Sequence, residues 1–262
     1  MTGMWRFAWM MTCLGWALTY PAQAQQSDDP LAGIGKLCNA EAEASNEIAA
    51  LPATSKALLK QKKITVLAVG ATPLNARDQR QGHYALVEKV LESTLKGLEV
   101  TVVDRGVSGE LASDSARRIQ NEVALVQPHL VFWQVGVADA LSLTPAAEFK
   151  TTLMDTVKWL KEHDVDVVLI GLKYQRSLTK NASYQQIRQA IREVVREQAI
   201  LRVGHYESVE ALDKLKRQSG EPASELDLTD AGATCLADFL SRALAVGLFA
   251  KPKRTPEPRY IP

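Results

Sequence analysis

The stretch Ile64-Thr65-Val66-Leu67-Ala68-Val69, which ends at Gly70, decides the fold. It is a short run of apolar and β-branched residues bounded by a turn residue, as is typical of a strand buried on both faces of a parallel sheet. Four further runs share this pattern: Val100–Val103, Leu130–Val135, Val165–Ile170 and Ile200–Val203. Together these runs predict a five-stranded parallel sheet.

The segments between these runs carry the spacing of amphipathic helices. Apolar residues recur there at steps of three to five, at Leu86/Val87, Val90/Leu91 and Leu95, at Ile119, Val123 and Val126, at Leu153, Val157 and Leu160, at Ile187, Ile191 and Val194, and at Leu236, Leu240 and Leu244. Thr144-Pro145 fits an N-cap followed by proline at the first helical position. The alternation predicts one doubly wound α/β domain with ligands bound beyond the carboxyl ends of the strands.

The composition narrows the class of protein. Hydrophobic residues make up 46% of the chain and charged residues 23%, and the net charge is +1. These proportions are ordinary for a globular protein and argue against a disordered or coiled-coil chain. A dedicated nucleic-acid binder would show a basic excess, so we expect no nucleic-acid partner.

The first 24 residues have the features of a secretory signal. Arg6 gives a positive start, Phe7–Tyr20 is almost wholly apolar, and Pro21-Ala22-Gln23-Ala24 ends in a small-x-small cleavage pattern. The alternative is a retained membrane anchor, but the run is shorter than the roughly 20 residues that span a bilayer. We therefore expect cleavage near Gln25, no stable membrane span afterwards, and a periplasmic or secreted protein.

Four segments follow from this pattern. Residues 1–24 are the signal peptide, residues 25–60 an N-terminal linker and helix, residues 61–250 the main domain, and residues 251–262 a basic, Pro-rich tail. The predicted mature chain keeps two cysteines, Cys38 and Cys235, which either pair in an oxidising compartment or are two unrelated buried thiols. No CxxC motif, Cys/His cluster or G-x-G-x-x-G spacing is present in the sequence, so we expect neither a metal nor a cofactor.

Four blocks at the predicted carboxyl edge carry a resemblance to a known family. They are Gly70-Ala71-Thr72-Pro73 after the first strand, Asp104–Gly109 after the second, Gln134–Asp139 after the third, and Ser224–Gly232 before the last helix. In order and placement they resemble the blocks of the SGNH (GDSL-type) hydrolases, over about residues 60–245. The resemblance implies a flavodoxin-like three-layer α/β sandwich that cleaves acyl esters of lipids, carbohydrates and small molecules.

The same resemblance implies a role for each site position. The serine nucleophile of the family would stand at Thr72, its asparagine at Ala138, its histidine at Asp227 and its aspartate at Ser224. Gly109 matches the glycine whose N–H helps to hold the oxyanion. The order and placement of the four blocks are therefore kept, while most of the catalytic residues are replaced.

The cysteines fit a subgroup of this family. The chain resembles exported members that have one cysteine before the first strand and another in the last helix. That layout implies a disulfide between Cys38 and Cys235.

Elementary chemistry also predicts poor ester hydrolysis at these positions. A hydroxyl is a weak nucleophile until a base removes its proton, and the carboxylate of Asp227, with a reference pKa near 4, is a weak base for an alcohol. Pro73 biases Thr72 towards an extended conformation, and the threonine methyl group crowds attack. Ala138 offers no oxyanion donor, and the loss of one such donor typically costs about 2.7–4 kcal/mol.

Other residues could replace the missing base and nucleophile. His83 and His205 lie at the predicted carboxyl edge, whereas His129 lies at the opposite edge. Ser108 is a nearby hydroxyl, although a turn between two glycines explains it more simply. Asp139 is predicted either to cap a turn or to bind a ligand.

Three hypotheses follow. The leading one is an exported, catalytically degenerate protein that binds an acylated carbohydrate, a small ester or another envelope component. The second is an active esterase with rearranged residues, for example Ser108 or Thr72 with His83 or His205. The third is a structural envelope protein that uses the fold and the tail of residues 251–262 as a scaffold for a partner. The oligomeric state is left open.

Overall fold

The computed structural model describes residues 49–70, 83–94, 97–220 and 224–250. Its strands form one parallel sheet, in the order β2-β1-β3-β4-β5. They are β1 Lys63–Gly70, β2 Glu99–Asp104, β3 Leu130–Gln134, β4 Asp166–Ile170 and β5 Leu201–Val203. All five predicted strands are confirmed. The order reverses direction between β1 and β3, which is the switch point where α/β sheets of this kind bind ligands.

Helices cover both faces of the sheet. Those in the described residues are α1 Pro52–Gln61, α2 His83–Thr94, α3 Ala112–Val126, α4 Val137–Leu141, α5 Ala146–Glu162, α6 Ala182–Gln198, α7 His205–Gln218 and α8 Glu225–Phe249, with a 3₁₀ turn over Arg176–Leu178. Within the described ranges, none of these helices is both long enough and apolar enough to cross a membrane.

Alternate strand residues build two separate hydrophobic cores. On one face, Phe132 of β3 packs with Phe239 of α8, and α1 and α2 also cover this face. On the other face, Trp133 packs with Leu153 of α5 and Ile187 of α6, beside α3. Successive strand residues point to opposite faces, so an uninterrupted apolar run supplies both cores. The result is the three-layer α/β sandwich that the sequence predicted.

Two helices differ from the sequence expectations. Helix α7 was not predicted, although Tyr206, Val209 and Leu212 recur there at three-residue steps and are buried. Helix α8 begins at Glu225. The block Ser224–Gly232, which was expected to precede the last helix, therefore forms mostly the first two turns of that helix. Acidic residues are favoured in a first turn because of the positive end of the helix dipole, and the sequence has Glu225 and Asp227 at these positions.

The predicted cap of α5 is also corrected. The helix begins at Ala146 rather than at Pro145, which is the N-cap residue with an extended ψ of 128°. No side chain caps this helix by a hydrogen bond, so Thr144 does not have the predicted role.

Candidate functional site

Backbone hydrogen bonds fix the loop after β2 against the end of β1. The Arg105 N–H donates to the Ala68 carbonyl at 2.8 Å, and the Val107 N–H donates to the Gly70 carbonyl at 2.8 Å. The loop of residues 105–111 therefore leaves the sheet next to the switch point rather than away from it.

Gly109 lies in this loop with its N–H available. Its φ is +73°, in the left-handed region that favours glycine, and nothing lies within 4 Å of where a Cβ would stand. The Gly109 N–H donates to no described residue. Glu110 anchors the loop because its carboxylate accepts two hydrogen bonds from Arg118, at 2.9 and 2.8 Å. The position that the family resemblance assigns to oxyanion binding is thus in a loop that Arg118 holds, and its amide has no acceptor among the described residues.

Asp139 joins the blocks after β2 and β3. Its side chain is 2% exposed, and its two carboxylate oxygens accept from the Ala112 N–H at 3.1 and 3.3 Å. The first N–H groups of a helix have no partner inside it, so this bond caps α3. Asp139 therefore acts as a cap, but of α3 in another part of the chain and not of the turn that the sequence predicted. Ala138 precedes it in α4, half-buried, and is brought to the same edge as the Gly109 loop.

Burial raises the pKa of the Asp139 carboxyl above its ordinary value, although the N–H groups of Ala112, Gly136 and Asp139 itself oppose the rise. The group is enclosed and committed to α3. The side chain beside it, Ala138, has no polar atom.

Gln134 is a polar residue that sequence reasoning did not single out. It ends β3 between Gly70 of β1 and Ile170 of β4, and it is 3% exposed. Its Oε1 accepts no hydrogen bond from the described residues. A buried amide oxygen without a donor is costly, and such a group is often explained by a ligand or water. The signal in the sequence was a glutamine inside an otherwise apolar strand.

The remaining assigned positions are only partly covered. Thr72, His83's side chain and Cys38 lie outside the described residues, and so do the side chains of Asp227 and Cys235. The backbone of Asp227 is in the first turn of α8, and the exposed Ser224 directly precedes that helix.

The sheet order separates Ser108 from His205. Ser108 is exposed after β2, and His205 is buried after β5, and these are the two outer strands. Four strand spacings separate them, or about 19 Å. This distance argues against a direct Ser108–His205 pair. His129 lies at the amino edge, as predicted, where its Nδ1 accepts from the Thr65 N–H at 3.0 Å.

Comparison with known proteins places the chain in a family. The model of the non-GDSL lipase-like family matches residues 37–249. The chain belongs to the non-GDSL lipase-like family. The predicted resemblance to SGNH-type hydrolases is confirmed.

Solved structures show the same fold in relatives of this lipase-like protein. TesA is 21% identical with a TM-score of 0.55, covering 68% of this chain and 99% of that one. A variant of Axe2, an acetyl xylan esterase from Geobacillus stearothermophilus, is 17% identical with a TM-score of 0.55, covering 72% and 97%. The psychrotrophic esterase EstA from Pseudoalteromonas sp. is 16% identical with a TM-score of 0.52, covering 69% and 98%. A search of curated proteins returned no match.

Proposed function

We propose that this chain is an exported SGNH-fold protein whose ester-hydrolysing site is degenerate and whose carboxyl edge binds an acylated carbohydrate. The observation that carries the proposal is Ala138. The family resemblance assigns Ala138 to the position of the asparagine, and the structure places it next to a buried Asp139 that caps α3. An oxyanion formed there would lack a side-chain donor, which typically slows acyl transfer by two to three decades.

The residues at the assigned serine and histidine positions support the same proposal. Thr72 and Asp227 stand where serine and histidine would act, and a carboxylate near pKa 4 is poorly matched to activating an alcohol at neutral pH. Losses at residues that act as a unit do not add, so we expect a near-complete loss of turnover rather than a product of separate factors.

The retained polar groups support ligand binding. The Gly109 N–H is a donor without a described partner, and the Gln134 Oε1 is an acceptor without one, on loops and strands next to the switch point. A carbonyl and a hydroxyl of an acylated sugar are the complementary groups. The structural likeness to an acetyl xylan esterase makes an acetylated carbohydrate the first ligand to test.

Hydrolysis is tested with short-chain nitrophenyl esters. We expect no turnover above that of the Thr72→Ala and Asp227→Ala variants, because neither residue supplies a working nucleophile or base. A rate that falls when either residue is replaced would contradict degeneracy. A fluorophosphonate probe gives an independent test, since a labelled serine or threonine would support the active-esterase hypothesis instead.

Binding is tested separately, by calorimetry with an acetylated xylooligosaccharide and the same sugar after deacetylation. We expect saturable binding that weakens when the acetyl groups are removed. Gly109→Pro removes the amide donor and should weaken binding. Because proline cannot adopt a positive φ, Gly220→Pro, which makes the same backbone change in an exposed turn, serves as the control. Equal binding of both sugars would contradict recognition of the acyl group.

Export is tested by sequencing the N-terminus of the protein recovered from its host. Cleavage of the predicted signal gives a chain that starts at or near Gln25. A mature chain that retains residues 1–24 would contradict this part of the proposal.

A further inference from the structure

A cavity of about 420 Å³ lies between the segment after β4 and helix α7. Its helical wall is formed by Glu210, Asp213, Lys214 and Arg217, whose spacing puts them on one face of α7. The opposite wall includes Tyr174 and the 3₁₀ turn that follows it. The volume lies within the range of small-molecule sites, and the cavity contains none of the positions assigned to ester hydrolysis.

Asp213 connects the two walls of this cavity by hydrogen bonds. It is 1% exposed, and its carboxylate accepts from the Tyr174 hydroxyl at 2.6 Å, from Arg176 and from Arg217 at 2.9 Å. One carboxylate cannot neutralise two guanidinium groups, so the trio keeps a net positive charge. Aromatic contacts hold the wall, since Tyr174 packs edge-on against Tyr206 with ring centroids 5.3 Å apart.

Two lysines add to this positive charge. Lys180 lines the cavity, and Lys214 lines it with its ammonium 3.4 Å from Glu210. Among the described residues, four cationic side chains and two carboxylates thus line this cavity. Arg217 donates one of its five N–H groups to Asp213, and no other described residue accepts from it. Fixed guanidinium groups with remaining donors are suited to carboxylates and phosphates.

We propose that this cavity binds the carboxylate or phosphate group of a small hydroxylated ligand, such as an acidic sugar. Arg217 and the two lysines would contact the anion, while Asp213 holds Arg217 in place. The hydroxyl groups of Ser177 and Thr179, which also line the cavity, would face the hydroxyl groups of the ligand. This binding site is separate from the proposed acyl-binding edge, and either can exist without the other.

The test is calorimetry on the full mature chain with glucuronate, glucose 6-phosphate and glucose. We expect saturable binding of one or both anions, weaker binding at high salt, and no binding of glucose. The two anions distinguish a carboxylate from a phosphate ligand. In the Lys180→Gln/Lys214→Gln variant we expect the Kd to rise about tenfold or more, because two charge-assisted contacts are lost.

A matched control removes the same charge elsewhere. Lys158→Gln/Lys216→Gln takes two exposed lysines from α5 and α7 that do not line the cavity, and its Kd should equal that of the unchanged chain. The proposal is overturned if neither anion binds, if glucose binds as well as the anions, or if both double variants show the same Kd. Amide shifts mapped by NMR should centre on residues 174–180 and 210–217.

Discussion

Gly70 is the residue at which backbone geometry is most restrictive. Its φ is +94°, and a Cβ there would stand 1.9 Å from the Gln134 carbonyl oxygen of the neighbouring strand. Left-handed geometry costs a non-glycine residue about 1–2 kcal/mol, and overpacking typically adds about 1–3 kcal/mol. We expect Gly70→Ala to lower the free energy of unfolding by more than about 3 kcal/mol, as measured by urea denaturation.

Gly220→Ala is the control for this prediction. Its φ is +79°, but nothing lies within 4 Å of the modified position. We expect Gly220→Ala to lower the free energy of unfolding only by the cost of left-handed geometry, about 1–2 kcal/mol. Equal losses in the two variants would show that the close approach of β1 and β3 at Gly70 is not what restricts this residue.

Asp139 gives a second prediction at the same scale. Asp139→Ala removes the cap of α3 and leaves the Ala112 N–H without its acceptor, which should cost about 2 kcal/mol. Asp139→Asn keeps an acceptor oxygen and should retain most of the stability. Urea denaturation of both variants checks this. A loss in Asp139→Asn as large as in Asp139→Ala would mean that charge, rather than the hydrogen bond, holds α3.

These residues also mark the limit of sequence reasoning. Gly109 and Ala138 were assigned through the family resemblance, in blocks that come after predicted strands, and parallel strands bring such blocks to one edge. The choice between two roles for Asp139 required its partner, Ala112, which lies 27 residues away. Sequence spacing contains no information about a contact of that range.

At the scale of secondary-structure elements, burial explains which strands and helices could be predicted from the sequence. Strands buried on both faces are uninterrupted apolar runs, so all five were found from sequence. Helix α7 was missed because two of its inward-facing groups are charged. Glu207 pairs with Arg188 and Arg192 of α6 and with Arg202 of β5. Asp213 is buried and pairs with Arg176 and Arg217. A charged residue is normally assigned to the surface, so only the contacts show that these carboxylates hold α7 in place.

Glu207 makes this element sensitive to acid. Burial raises the pKa of the carboxyl, but Arg202, Arg192 and Arg188 outweigh burial and lower it from 4.5 to about 2. A lowered pKa contributes stability that is present above the unfolded value and is lost as the pH falls towards the folded value. The contribution is up to about 3 kcal/mol at neutral pH. Glu207→Gln should be less stable by about this amount near pH 6, with the gap closing as the pH falls from about 4.5 to about 2.

Urea denaturation across this pH range measures the gap. Glu197→Gln is the control, because it removes a carboxylate whose side chain is 47% exposed in its pair with Lys150. We expect a loss below about 1 kcal/mol there, as for exposed ion pairs generally. A gap for Glu207→Gln that does not change with pH would contradict the ion-pair explanation.

At the scale of the whole molecule, the first and last described helices are joined. The Leu51 N–H donates to the Gly247 carbonyl at 3.1 Å, and the Ser55 hydroxyl donates to the Leu248 carbonyl at 2.8 Å. The chain before α1 therefore passes the carboxyl end of α8. Cys235 lies about 18 Å further up that helix, since α-helices rise 1.5 Å per residue. The 13 residues from Cys38 to Leu51 can span about 40 Å when extended, so Cys38 can reach it.

The length of the intervening chain therefore permits the predicted Cys38–Cys235 disulfide. It would close a loop of about two hundred residues, for which the chain-entropy model gives about 5 kcal/mol as an upper value. We expect the exported protein, unfolded without reductant, to take up no iodoacetamide, and Cys38→Ser to be less stable by up to that amount. Reductant should destabilise the unchanged chain but not Cys38→Ser. Two alkylated cysteines before reduction would show that they are separate thiols, and the stability of the fold would then rest on its two cores and buried ion pairs.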